Sequence, residues 1–137
     1  MSDPRDLLVG DVMSLDPVTV FADAPIEDAE RLMRIHDFHG LPVVDDRGCL
    51  TGVISESDLL GIRRMPVGAV IRHRASGVRV GEVMASPAVT VPITCSLVEA
   101  ARHMRDARTH RLVAVGDDGR PVGILSATDY VAIVADW

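Results

Sequence analysis

The spacing of apolar and polar residues along the chain shifts between strand and helix periods, and the same sequence of shifts occurs twice. "VTV" (Val18–Val20) is a short β-branched run that reads as a strand. From Pro25 to about Asp37, Ile26, Ala29, Leu32, Met33 and His36 recur at helical spacing, and Glu27, Asp28 and Glu30 sit in the opening turn, where acids favour the helix dipole. "LPVVDDRGCLTGVIS" predicts two strands about a glycine-containing turn, and a short helix follows from Ser55. A shift of 71 residues lays Gly10–Leu60 over Gly81–Val131 without a gap. Roughly a third of the aligned positions are identical, among them Val12-Met13/Val83-Met84, Gly52/Gly123, Ser55/Ser126 and Asp58/Asp129. The second copy repeats the helix with Leu97, Ala100, Met104 and Ala107, and the hairpin with "LVAVGDDGRPVGILS".

The chain is therefore a duplicated β-α-β-β-α unit, and the expected fold class is α+β. Each unit is too small to bury its own sheet and helices well, so the two are expected to pack through their sheets about a pseudo-two-fold axis. The expected division is a first domain over 8–62, a linker over 63–79 and a second domain over 80–137.

Composition narrows the function. Apolar residues make up 47% of the 137, yet there are only one Trp, one Tyr and two Phe, so the interior rests on Val, Ile, Leu, Ala and Met. No apolar run approaches the roughly 18–20 residues that span a bilayer. "MSDPRDLL" lacks the basic-then-apolar pattern of a secretory signal, and a cytoplasmic location is expected. Cys49 and Cys95 have no partner at metal or redox spacing and read as free thiols. A net charge of −6 argues against nucleic acid binding by the chain as a whole. Locally the sign reverses: Leu59 to Gly81 holds Arg63, Arg64, Arg72, His73, Arg74 and Arg79 and no acid. That stretch reads either as a solvated linker, with Pro66, Gly68 and Gly77 as breakers, or as a basic flap near an anion.

Two constellations carry chemistry. "GVISESD" and "GILSATD" share the pattern G-h-h-S-x-[ST]-D, where h is apolar, at a strand-to-helix junction. Ser55 and Asp58, like Ser126 and Asp129, form a helix-capping pattern. The same junction suits a nucleoside with phosphate. Helix N–H groups bind anions, and a carboxylate one turn in can accept both ribose hydroxyls. Ser57 and Thr128 add a second hydroxyl, and Gly52 or Gly123 would let the backbone approach a flat base. The second constellation is "DFHGLPVVD" and "RTHRLVAVG", with His39 and His110 equivalent and Arg111 offering a planar fork for phosphate. Neither histidine has metal-ligand company, and no metal is expected. GxSxG, HExxH, GxxxxGK[ST] and GxGxxG are all missing, so no enzymatic activity is expected.

With these residues in view, the chain resembles a tandem pair of cystathionine-β-synthase-type (CBS) domains, or Bateman module. "GDVM…VTV", "HGLPVVDDRGCLTGVISESDLL", "GEVM…VTV" and "HRLVAVGDDGRPVGILSATDY" carry the likeness from about Val9 onward. The second copy also resembles the last repeat of the γ subunit of AMP-activated protein kinase. The resemblance implies a regulatory module that binds AMP, ADP, ATP or an S-adenosyl compound and requires no cofactor. It implies two clefts, one using Phe38, His39 and Gly40 with Ile124, Ser126, Thr128 and Asp129. The other would use Thr109, His110 and Arg111 with Val53, Ser55, Ser57 and Asp58. In each, Asp would hold ribose, the apolar residues would sandwich adenine, and Ser, His and Arg would meet phosphate. Val113 in place of Pro42 is expected to reshape the second strand start. Arg111 in place of Gly40 would either block adenine or add a phosphate contact, so the clefts should be unequal.

The resemblance further implies a homodimer made by helices, with the tail "DYVAIVADW" contributing. The alternative is that Tyr130, Val131, Ile133 and Val134 cover the module's own sheet. With no enzyme, channel or transporter attached, the module is expected to act on a separate protein partner. Two other readings stay open: a ligand-free dimerisation or partner-binding module in which Ser-x-x-Asp is only a cap, and nucleic acid binding through the Arg-rich linker.

Overall fold

A computed structural model describes residues 3–63 and 77–136, with no account of the side chains of Ile62 and Arg63. The Arg-rich stretch 64–76, and with it the reading of the linker as a basic flap, lies outside the described residues. Mixed strands and helices form two sheets, as the α+β expectation requires.

In one compact unit, Val18–Ala88, β2 (Val20–Phe21) runs parallel to β3 (Gly40–Val44), which pairs antiparallel with β4 (Leu50–Ser55). Helix α2 (Ile26–His36) links the parallel strands, and α3 (Glu56–Arg63) follows β4. The unit closes with the single turn α4 (Val80–Val83). The other unit joins Met1–Pro17 to Val89–Trp137. Its sheet has the order β1 (Ser14–Leu15), β7 (Pro121–Ser126), β6 (Arg111–Val115), β5 (Thr90–Pro92). It also holds α1 (Val9–Val12), α5 (Leu97–Ala107) and α6 (Ala127–Asp136).

Each core is built from equivalent residues. Val20, Ala29, Met33, Leu41, Val43 and Ile54 fill one; Val91, Ala100, Met104, Leu112, Ala114 and Leu125 fill the other. The opening turns are exchanged, however. Val80 completes the core around the first repeat's sheet, and Val9 completes the core around the second's. The exchange extends to the backbone, where Gly81 N–H donates to Ala22 O at 2.8 Å and Gly10 N–H to Ile93 O at 2.9 Å.

The glycines of the two junctions have a reason other than a ligand. A Cβ on Gly123 would lie 2.5 Å from Met13 Sδ and 2.8 Å from Ser14 O; one on Gly52 would lie 2.8 Å from Met84 Sδ and 2.5 Å from Ala85 O. The bare faces are filled by the methionines of "GDVM" and "GEVM", which corrects the expectation that a flat base approaches there. The repeated Met and the repeated Gly are two sides of one contact.

Each hairpin turns through a glycine at positive φ, Gly48 at 84° and Gly119 at 81°. Asp45 Oδ1 accepts from Arg47 N–H and Cys49 N–H in the first turn, and Asp118 Oδ1 from Arg120 N–H in the second. Val113 does not reshape its strand start: Pro42 pairs with Val53 and Val113 with Ile124, the same register 71 residues on. Val113 adds a bond that proline cannot make, its N–H donating to Val89 O at 3.2 Å.

The helices follow the apolar spacing up to their last turn. Ala29 and Met33, and Leu97, Ala100 and Met104, are buried, whereas His36 and Ala107 are exposed. Both helices stop one residue later at a left-handed residue, Asp37 at φ 55° and Arg108 at φ 54°. In the tail helix α6, Tyr130 and Ile133 pack on the core, while Val131 and Val134 are about two-thirds exposed.

Candidate functional site

The antiparallel hairpin brings the two motifs of each repeat together. Gly40 pairs with Ser55 and Arg111 with Ser126, so each strand start lies beside its own strand-to-helix junction. The turn from strand into helix is fastened by the carbonyl of the histidine: His39 O accepts from Glu56 N–H at 3.0 Å, and His110 O from Ala127 N–H at 2.8 Å.

The capping pattern is realised at both junctions. Asp58 Oδ2 accepts from Ser55 N–H at 2.8 Å and from Ser55 Oγ at 3.0 Å, while Ser55 Oγ accepts from Asp58 N–H at 3.3 Å. Asp129 Oδ2 accepts from Ser126 N–H at 2.8 Å and from Ser126 Oγ at 3.2 Å. A short aspartate thus serves where a longer acid is usual, because the serine backbone and hydroxyl converge on one oxygen. Among the described residues the other oxygen, Oδ1, accepts from no protein group at either junction. Both aspartates are half-buried, and Ser57 and Thr128 lie exposed one residue before them. Val53 and Ile124 are half-buried on their strands, each paired with the exchanged leading segment: Val53 with Ala85, Ile124 with Ser14.

The strand starts differ. In the first repeat His39 is exposed, and its Nδ1 lies 3.2 Å from Glu56 Oε2. Phe38 is exposed and stacks on His36, with ring centroids 5.3 Å apart and planes inclined by 16°. In the second repeat the residue at the Glu56 position is Ala127, and His110 and Arg111 are both exposed. Thr109 Oγ donates to Arg111 O at 3.1 Å and ties down the backbone there. Among the described residues the Arg111 guanidinium has no acidic partner. The role of Glu56 escaped the sequence reading. Hairpin arithmetic carried the signal, since a turn centred between Arg47 and Gly48 sets residue 40 opposite residue 55.

A groove of about 440 Å³ lies apart from these junctions, in the unit containing Val89–Trp137. Leu97, Val98, Ala101, Ile133 and Val134 floor it, Tyr130 Oη donates to Leu97 O at 2.7 Å, and Arg102 and Arg105 stand among its walls. Burial pushes the Tyr130 phenol up to about 12. No group of three or more His, Cys, Asp or Glu side chains that could hold a metal occurs among the described residues, and no helix there is long and apolar enough to cross a membrane.

Two sheets that share one three-strand arrangement, β2-β3-β4 and β5-β6-β7, each ending in the same Ser–Asp junction, define a tandem-repeat module. The CBS domain profile matches residues 9–65 and 80–136, and the chain belongs to the CBS domain family. Among curated proteins it is 29% identical over 125 residues to the inosine-5'-monophosphate dehydrogenase of Thermoplasma acidophilum, covering 91% of this chain but 22% of that enzyme. An uncharacterised protein of Methanocaldococcus jannaschii, MJ1426, is 25% identical, with 91% of this chain and 89% of that protein covered. Among solved structures, CBSX2 in complex with AMP is 28% identical with a TM-score of 0.81, covering 95% of this chain and 97% of that one. CBSX2 is a CBS-pair protein of Arabidopsis thaliana.

Proposed function

We propose that this chain is a non-catalytic regulatory module that binds an adenine nucleotide (AMP, ADP or ATP) or an S-adenosyl compound, and acts on a separate protein partner. The observation that carries the reading is the duplicated junction, in which each aspartate spends one oxygen on its cap and, among the described residues, keeps the other unengaged. CBSX2, which has the same fold and has been solved with AMP, supports the ligand class. In this reading Asp58 and Asp129 hold ribose, with Val53 and Ile124 against the base and Phe38, Gly40 and Thr109 bordering it. Ser55, Ser57, Ser126, Thr128, His39, His110 and Arg111 face phosphate. A cytoplasmic location goes with it, since Cys49 and Cys95 form no disulfide, which suits a reducing compartment.

A homodimer belongs to the same proposal. The floor of the α5–α6 groove and the exposed Val131 and Val134 supply an apolar face for a second copy. A monomer at micromolar concentration in sedimentation would refute that part.

Isothermal titration of the purified chain with AMP, ATP and S-adenosylmethionine tests the ligand. Asp58→Ala and Asp129→Ala should each remove one binding event while costing about 0.5–2 kcal/mol of stability through the lost cap. Stability loss with binding unchanged would reduce the junction to a cap and favour the ligand-free module instead.

A further inference from the structure

The two repeats share a core but not a surface. In the second repeat the outer side of the helix pair is apolar. Val98 and Ala101 on α5 and Val131 and Val134 on α6 are all exposed, and each pair is three residues apart, on one side of its helix. Seventy-one residues earlier the same four positions hold Glu27, Glu30, Leu60 and Arg63. Three of the four apolar positions are therefore charged in the first repeat, although α2 and α3 correspond to α5 and α6.

The rim of the groove adds a pattern of charge. Arg5, Arg102 and Arg105 stand in its walls, and each holds an acid of the same chain: Asp3 at 2.6 Å, Glu99 at 2.8 Å and Asp106 at 3.0 Å. Together these six side chains carry no net charge. A strongly acidic or strongly basic partner would have to displace one member of each pair before meeting its counter-charge. A second copy brings the same alternation of sign turned by a two-fold rotation, so pair can meet pair.

We infer that the chain pairs like with like: the α5–α6 face of the second repeat lies on the same face of a second copy, and the α2–α3 face of the first repeat takes no part. This rests on the homodimer reading above and names the surface that makes it. A crossed arrangement would lay Glu27 and Glu30 on the floor formed by Val98 and Ala101. Their carboxylates would lose water there, while the arginines at hand are already committed to other acids. Between two first-repeat faces only Leu60 of the four positions is apolar. Too little apolar area then leaves water to offset the cost of association. The contact between second repeats is isologous, so it closes as a dimer and leaves no end on which to grow.

Sedimentation equilibrium of the native chain beside three variants tests the pairing. Val98→Glu/Ala101→Glu installs the first repeat's acids on the second repeat, and Glu27→Ala/Glu30→Ala strips them from the first. Val134→Arg installs the counterpart of Arg63 and probes the other helix independently. Glu30 is half-buried and the other four positions are exposed; thermal unfolding verifies that each variant is folded. The native chain should be a dimer. Val98→Glu/Ala101→Glu and Val134→Arg should each weaken it by about a hundredfold or more, because each sets like charges against one another across the two-fold axis. Glu27→Ala/Glu30→Ala should leave the dissociation constant unchanged. A dimer tightened by Val134→Arg, or one shifted by Glu27→Ala/Glu30→Ala, would set the second repeat against the first and overturn the pairing of like with like. A native dimer indifferent to all three variants would overturn it as well, and in each of these cases the homodimer itself would stand. A native monomer would overturn both.

Discussion

Replacing Gly123 by alanine tests the contact between the leading turn and the sheet. The new Cβ would sit 2.5 Å from Met13 Sδ, 2.8 Å from Met13 Cγ and 2.8 Å from Ser14 O, where ordinary van der Waals contact is 3.4–4 Å. The methionine can swing, but the backbone oxygen belongs to β1, which is paired to the same strand through Ser14 and Ile124. Relief therefore requires β1 to slide or lift. Overpacking of this kind costs about 1–3 kcal/mol. Alanine narrows the unfolded ensemble and returns about 0.4–1 kcal/mol. A net loss of about 1–2 kcal/mol remains, and Tm should fall by about 4–8 °C. Chemical denaturation supplies the free energy and calorimetry the Tm. The double variant Met13→Ala/Gly123→Ala removes two of the three close approaches, so it should lose less than the sum of its singles, with a coupling of about 1 kcal/mol. An unchanged or stabilised Gly123→Ala, or strictly additive losses, would refute the plug between Met13 and Gly123.

Two further outcomes follow from single side chains. Tyr130 is the only tyrosine, so absorbance of the phenolate reads it alone, and its midpoint should lie near 12 in the folded chain against about 10 in urea. Because the folded value is the higher one, the associated stability is complete below pH ~10 and is lost as pH rises towards 12; a midpoint near 10 in the folded chain would sink the argument. Ser96 Oγ accepts from Glu99 N–H at 3.1 Å and caps α5, so Ser96→Ala should cost about 0.5–2 kcal/mol in denaturant titration, and no loss would show the cap to be idle.

Much of this molecule could be read from the residue pattern, and the misreadings have physical causes. The helix over Ile26–His36 was legible because Ile26, Ala29 and Met33 share one face, but His36 and Ala107 belong to a last turn that has run past the core. The short strands begin later than "VTV" suggests: β2 starts at Val20 and β5 at Thr90, where the parallel partners β3 and β6 set the register. The Ser–Asp cap was legible because it is local, spanning three residues. The pairing of His39 with Glu56 was not, since it depends on where the hairpin turns. Gly52 and Gly123 were misread because a glycine announces a close approach without naming what approaches.

Least legible was which copy of a motif packs where. Self-similarity shows that Val9 and Val80 are equivalent, and says nothing about which sheet each serves. Each in fact completes the core of the other repeat. Ownership of the core is thus divided against the order of the chain. A fragment cut at the sequence boundary of the second repeat would carry Val80 and Met84, the stopper for the first repeat's sheet, and leave behind Val9 and Met13, the stopper for its own. Such a half must close on the wrong copy of the segment or find the missing one on another chain. Two halves produced separately and then mixed should reassemble by trading stoppers, so the smallest piece that owns everything it needs is the pair.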